Sequence, residues 1–257
     1  MILCLDVGNS QMTCGVFAGE ELKLQFRRST QGKPASDELG VFLRGTLREN
    51  DIEPGSVSSI AVCSVVPDLV HSLRAACLKY FAREPFVLRA GVRTGLKIRY
   101  RDPRQVGADR IAVAIAAAQR YPSSDVVVVN LGTATTVEVI SASKEYLGGA
   151  ILPGLRLSMQ ALETGTARLP SVEILRPEHA VGRSTTECIQ AGLYLGTLGA
   201  IRLLVKRVAD EAFGGARPIL IGTGGFSALY REEPDFDAVI PDLALRGLRI
   251  ALDLNSD

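Results

Sequence analysis

Two stretches of this chain, 124 residues apart, repeat one order of residues. Ile2-Leu3-Cys4-Leu5-Asp6-Val7-Gly8-Asn9 and Val126-Val127-Val128-Val129-Asn130-Leu131-Gly132-Thr133 share the pattern. Each runs four apolar residues, an Asp or Asn, one apolar residue, a glycine and a small polar residue. A second strand-like run follows in both, at residues 13–17 and 137–140. Such a run, closed by a polar residue and a glycine, reads as a buried strand entering a tight turn. One copy would be an ordinary hairpin. Two copies in register, about half a chain apart, point to a duplicated domain. The 257 residues have room for two domains of ordinary size. The expected boundary is near Tyr121-Pro122, giving domains 1–121 and 122–257.

Between these anchors the pattern alternates strand and helix. Ser36 before Asp37-Glu38 looks like a capped helix start. Residues 59–66 read as a buried strand ending at Pro67. Residues 69–81 have helical spacing, and residues 85–88 read as the next strand. Residues 110–120 are Ala-rich and helical. Residues 156–164 read as a helix. Residues 186–209 are apolar with helical period but weakened by Gly192, Gly196 and Gly199. A strand at residues 219–221 enters Gly222-Thr223-Gly224-Gly225, and residues 243–252 form a terminal helix.

Hydrophobic residues make up 47% of the chain, enough for two cores, and the net charge is only +1. No basic surplus favours a nucleic-acid partner. The apolar start meets Asp6 at once, unlike a secretory leader, and no uninterrupted apolar run approaches the ~20 residues of a membrane helix. The expectation is a cytoplasmic protein with neither nucleic acid nor membrane as partner. Cys4, Cys14, Cys63, Cys77 and Cys188 include no CxxC pair, so buried free thiols are expected. His71 and His179 stand outside any ligand-spaced cluster, which argues against structural zinc.

Three motifs carry chemistry. In Asp6-Val7-Gly8-Asn9-Ser10 a strand-end carboxylate suits Mg²⁺, usually through water, and Gly8 lets backbone approach a phosphate. With its copy at Asn130-Leu131-Gly132-Thr133, it suggests two hairpins clamping a polyphosphate. Gly222-Thr223-Gly224-Gly225 would let a nucleoside lie against backbone, and it fits neither GxGxxG nor Walker A. Gly107-Ala108-Asp109-Arg110 stands where a loop meets a helix. Asp109 there is either an N-cap or a base that accepts a hydroxyl proton, with Arg110 pairing a substrate carboxylate.

DVGNS, TGLKIRYRDPRQVGADRIAVA, NLGTATT, EYLGGAILPG, LETGTARLP, GRSTTECIQAG and TGG occur in that order. In this the chain resembles the type III pantothenate kinase family over nearly its whole length. The resemblance implies an α/β fold of two duplicated ribonuclease-H-like domains, within the acetate/sugar kinase–Hsp70–actin superfamily. It implies a homodimer that uses ATP and Mg²⁺ to phosphorylate pantothenate, the first step of coenzyme A biosynthesis. ATP would be held by Asp6, Val7, Gly8, Asn9, Ser10, Gln11, Met12 and Thr13, and by Thr133 from the second hairpin. Pantothenate would be surrounded by Tyr100, Gly107, Ala108, Asp109, Arg110 and Thr185, with Asp109 as general base. The family usually has Asp where this chain has Asn130, at a site for a monovalent cation (potassium or ammonium). Glu138 likewise replaces a frequent Asp. A second reading remains open from the sequence: a catalytically weak homologue that binds nucleotide or pantothenate in a regulatory or accessory role.

Overall fold

The computed structural model describes residues 1–256. In chain order its elements are β1 (Ile2–Val7), β2 (Gln11–Ala18), β3 (Glu21–Ser29), α1 (Ser36–Arg48), β4 (Ser59–Ser64), α2 (Pro67–Phe81), β5 (Phe86–Val87), β6 (Lys97–Ile98), α3 (Ala108–Arg120), β7 (Val126–Leu131), β8 (Ala134–Ile140), β9 (Glu145–Pro153), α4 (Leu155–Gly165), α5 (Thr185–Ala212), β10 (Ile219–Thr223), β11 (Ala238–Val239) and α6 (Leu243–Asn255).

The chain divides into two units, each with its own sheet. Among the described residues, one comprises residues 1–96, 101–116 and 243–256; the other comprises residues 97–100 and 117–242. The sheets have the order β3-β2-β1-β4-β5 and β11-β10-β7-β8-β9-β6. In the first, β1 is antiparallel to β2 and β2 to β3, while β1 is parallel to β4 and β4 to β5. In the second, β7, β8, β9, β10 and β11 repeat those relations one for one. β6 is an addition, parallel to β9 at the edge. The duplication seen in two short motifs therefore extends through five strands.

The first sheet buries Leu3, Leu5, Val7, Cys14 and Val16 against Leu39, Leu43 and Leu47 of α1 and Leu69 and Leu73 of α2. Alternation along β1 sends Cys4 and Asp6 to the opposite face, where α6 packs. α6 fits closely because it carries glycine at a crossing: a Cβ on Gly247 would lie 1.7 Å from Ala112 O of α3. The second sheet buries Val127, Val129, Leu131 and Val137 against Ile189, Leu193, Tyr194, Leu198 and Ile201 of α5.

Several expectations change. The division is not one cut at residue 121. The terminal helix, expected in domain 122–257, belongs to the first unit because it covers that sheet's second face. Ser36 is the first residue of α1 rather than its cap; Ala35 takes the cap position, and its N–H donates to Glu38 Oε1 at 3.3 Å. α5 runs unbroken for 28 residues through all three glycines, since burial of one face outweighs their poor propensity. By length and composition α5 is also long and apolar enough to cross a membrane, though its apolar stripe packs on the second sheet.

Candidate active site

The first unit builds its site at the ends of β1 and β4. Parallel pairing sets Asp6 beside Cys63, and the Cys63 thiol donates to Asp6 Oδ1 at 3.2 Å. Asp6 keeps part of its surface open, yet burial pushes its carboxyl up to about 6, with the Cys63 hydrogen bond lowering it and the charge of Asp109 raising it. Burial and the same two carboxylates hold the Cys63 thiol well above its ordinary range.

Beyond β1 the chain turns through Gly8, Asn9 and Ser10 into β2, and Gly8 N–H donates to Gln11 O at 2.9 Å. Asn9, Ser10 and Gln11 are exposed, whereas Val7 and Met12 are buried in the α1–α2 core. Of the nine residues expected at ATP, eight of them in this hairpin, Val7 and Met12 therefore offer backbone alone. Thr13 pairs with Asp6 and shares its face.

Gly107-Ala108-Asp109-Arg110 opens α3. The helix starts at Ala108, and Ile111 N–H donates to Gly107 O at 3.1 Å. Asp109 is thus inside the first turn, not at the cap. Its carboxylate folds back over Gly107, where a Cβ would meet Oδ1 at 2.5 Å. That contact is a physical reason for glycine in the motif. Arg110 is largely buried, at 7% exposure.

The second unit repeats the hairpin with a turn one residue shorter: Asp6 pairs with Thr13, but Asn130 pairs with Thr136. Thr133 is exposed at the tip. Strand β10 brings the second glycine turn alongside, because Thr223 pairs with Asn130 and Phe226 N–H donates to Leu131 O at 3.0 Å. Asn130 Oδ1 lies 2.4 Å from where a Gly224 Cβ would stand, and Gly224 has φ +90, so only glycine fits there. The structure therefore joins the Asn130–Thr133 and Gly222–Gly225 motifs into one surface.

Tyr100, expected at pantothenate, stands over Gly148: a Cβ there would meet its ring at 3.5 Å. Its ring centroid is 6.4 Å from that of Tyr146. The Tyr146 hydroxyl donates to Glu138 Oε2 at 2.5 Å, both side chains being fully buried. The paired glycines are required again at Gly149, where a Cβ would come within 1.6 Å of Val137 O. Thr185, the first residue of α5, lies on the rim of a cavity of about 660 Å³ lined by Leu157, Leu162, Ile189 and Leu193.

Sequence reasoning missed Cys63 as a partner of Asp6, and Tyr146 beneath Tyr100. The signal for Cys63 was register, which a single sequence does not display. Cys4, Cys14, Cys63 and Cys77 are free and buried, while Cys188 is free and exposed.

These residues fit a magnesium ion. Asp6 and Asp109 repel each other in partly buried surroundings, and a hard divalent cation would relieve both charges. Among the described residues no group of three or more His, Cys, Asp or Glu side chains could hold a metal. Phosphate and water would therefore complete the shell, as Mg²⁺ prefers. At Asn130 the protein offers an amide oxygen without charge.

A sequence model of the type III pantothenate kinases matches residues 2–207. A relative from Legionella pneumophila (strain Corby), named type III pantothenate kinase, is 54% identical, with 100% of each chain covered. One of the same name from Elusimicrobium minutum is 47% identical over 99% of both. Among solved structures, a candidate 2-dehydro-3-deoxygalactonokinase from Sinorhizobium meliloti superposes with TM-score 0.58 at 12% identity, covering 98% of each chain. That likeness shows the fold alone, a two-sheet α/β architecture shared over nearly the whole length of both chains.

Proposed function

The chain belongs to the type III pantothenate kinase family, and from that premise we propose how its own residues phosphorylate pantothenate. ATP is the phosphoryl donor, and the reaction opens coenzyme A biosynthesis. The exposed turn of residues 8–11 takes the ATP phosphates on its backbone amides, and Thr133 adds a contact from the second hairpin. Asp6 would hold Mg²⁺, through water, and the bound ion would neutralise charge on the phosphate oxygens.

Asp109 accepts the proton of the terminal pantothenate hydroxyl. That oxygen forms a bond to the γ-phosphorus, the bond from phosphorus to the bridging oxygen breaks, and ADP leaves. Arg110, with its planar fork of donors, pairs the substrate carboxylate. Tyr100 and Thr185 flank the rest of the substrate. The observation that carries this reading is the Asp109 carboxylate, folded over Gly107 and close enough to Asp6 to raise its pKa.

The test is Asp109→Asn in a coupled ADP-release assay with and without pantothenate. Turnover falls by ~10²–10⁴ while the melting temperature holds. Turnover equal to the parent enzyme would remove Asp109 from the role of base.

The active species is a homodimer in this reading. Its support is the outer stripe of α5, where Gly192, Leu195, Gly196, Gly199 and Leu203 recur at helical spacing. Leu195 and Leu203 are exposed, and the glycines face open space. The working compartment is the cytoplasm, where ATP and pantothenate meet.

A further inference from the structure

Thr30 is an unremarked residue just past β3. The antiparallel register pairs Gln11 with Ser29, so the next step of the ladder sets Thr30 opposite Ser10, at the tip of the first hairpin. Thr30 N–H donates to Ser10 O at 3.2 Å. Its hydroxyl oxygen lies 3.0 Å from Gly8 O and 2.7 Å from Asn9 O, one proton shared between two carbonyls. Thr30 itself is buried, at 7% exposure. Three successive carbonyls of an exposed turn thus converge on one buried residue.

A trans peptide unit points its N–H away from its C=O. Gathering the carbonyls of Gly8, Asn9 and Ser10 toward Thr30 turns the N–H groups of Asn9, Ser10 and Gln11 the other way, outward. Successive outward amides make an anion-binding concavity. We propose that Thr30 is a positioning residue for phosphoryl transfer: it never touches the nucleotide, but it holds three turn amides toward the phosphate oxygens. The hydroxyl is what matters. The turn side chains are exposed, but the hydroxyl's two hydrogen bonds are partly buried; a side chain without it would leave the Gly8 and Asn9 carbonyls to find other partners, and the turn would reorient. This inference rests on the reading that the first hairpin binds ATP phosphates.

The test compares Thr30→Val, which keeps shape and removes the hydroxyl, with Thr30→Ser, which keeps the hydroxyl. MgADP affinity is measured by calorimetry and KM for both substrates by turnover. Thr30→Val weakens MgADP binding and raises KM for ATP by about tenfold, the worth of one hydrogen bond, leaving KM for pantothenate unchanged. Thr30→Ser stays near the parent on every measure. Equal rises in both KM values, or a serine variant as impaired as the valine one, would mean a merely structural residue and would overturn the proposal. In the parent protein, the amide resonances of Asn9, Ser10 and Gln11 shift on adding MgADP; unmoved resonances would overturn it even if Thr30→Val does not fold. Gly8→Val separates the two layers. If it loses MgADP binding while Thr30→Val does not, the hairpin reading stands and the role of Thr30 falls. If it binds MgADP normally, the hairpin reading falls as well.

Discussion

Asp6 sets chemistry against stability within one side chain. Burial lifts its carboxyl from 3.8 to about 6, so the folded protein holds this proton more tightly than the unfolded chain does. For a raised pKa the stabilising contribution is complete below about pH 4, fades as pH rises through about 6, and is gone above. At pH 7.5 the metal-free protein carries the full cost of a desolvated charge. Asp6→Asn is therefore expected to stabilise it by roughly 1–3 kcal/mol at pH 7.5 and to bring almost no gain near pH 4. Thermal melts of both proteins across that range check this; a variant less stable at pH 7.5 would contradict it. The same variant is expected to lose Mg²⁺-dependent turnover. Asn130 is the mirror case. An amide gives a cation an oxygen without a charge, so little offsets the desolvation of potassium there. Potassium, at fixed ionic strength, is expected to stimulate the enzyme weakly, and Asn130→Asp to strengthen the response. Strong saturable activation of the parent, unchanged by the substitution, would rule this out.

Among the elements, α6 shows how much a single glycine can set. A Cβ at Gly247 would overlap the Ala112 carbonyl at 1.7 Å, and a backbone oxygen inside α3 cannot swing aside as a side chain can. Gly247→Ala is expected to destabilise the first unit by about 1–3 kcal/mol, even though alanine is the better helix former. Denaturant unfolding gives the sign directly; a neutral or stabilising alanine would show that the two helices part freely. The two hairpins were legible in the sequence because strand, polar residue and glycine are neighbours in the chain. Their surroundings were not: Cys63 reaches Asp6 through the β1–β4 pairing, and Asn130 meets Gly224 through β7–β10.

For the whole molecule, the proposed homodimer makes the outer stripe of α5 a covered surface. Leu195, now 38% exposed, would be buried against a second copy. Leu195→Asp places a charge in that contact, and an unpaired buried charge is strongly disfavoured. Sedimentation is expected to show a dimer for the parent and a monomer for the variant, with turnover lost in step. A parent that sediments as a monomer at assay concentration would dismiss the dimer.

The linear chain determined a duplicated α/β architecture, two glycine-turn hairpins and the Gly107–Arg110 block, because each is a local code of strand period, turn residue or helix start. It also carried the family likeness, since those blocks keep their order. Only the tertiary structure decided that the last helix covers the first sheet, that Val7 and Met12 turn into a core, and that Asp109 folds over Gly107 inside a helix turn. The same holds for the three carbonyls that meet at Thr30. These are long-range pairings and burial, governed by register and by which face each sheet covers. One sequence states the alternation of a strand but not the partner it will lie beside.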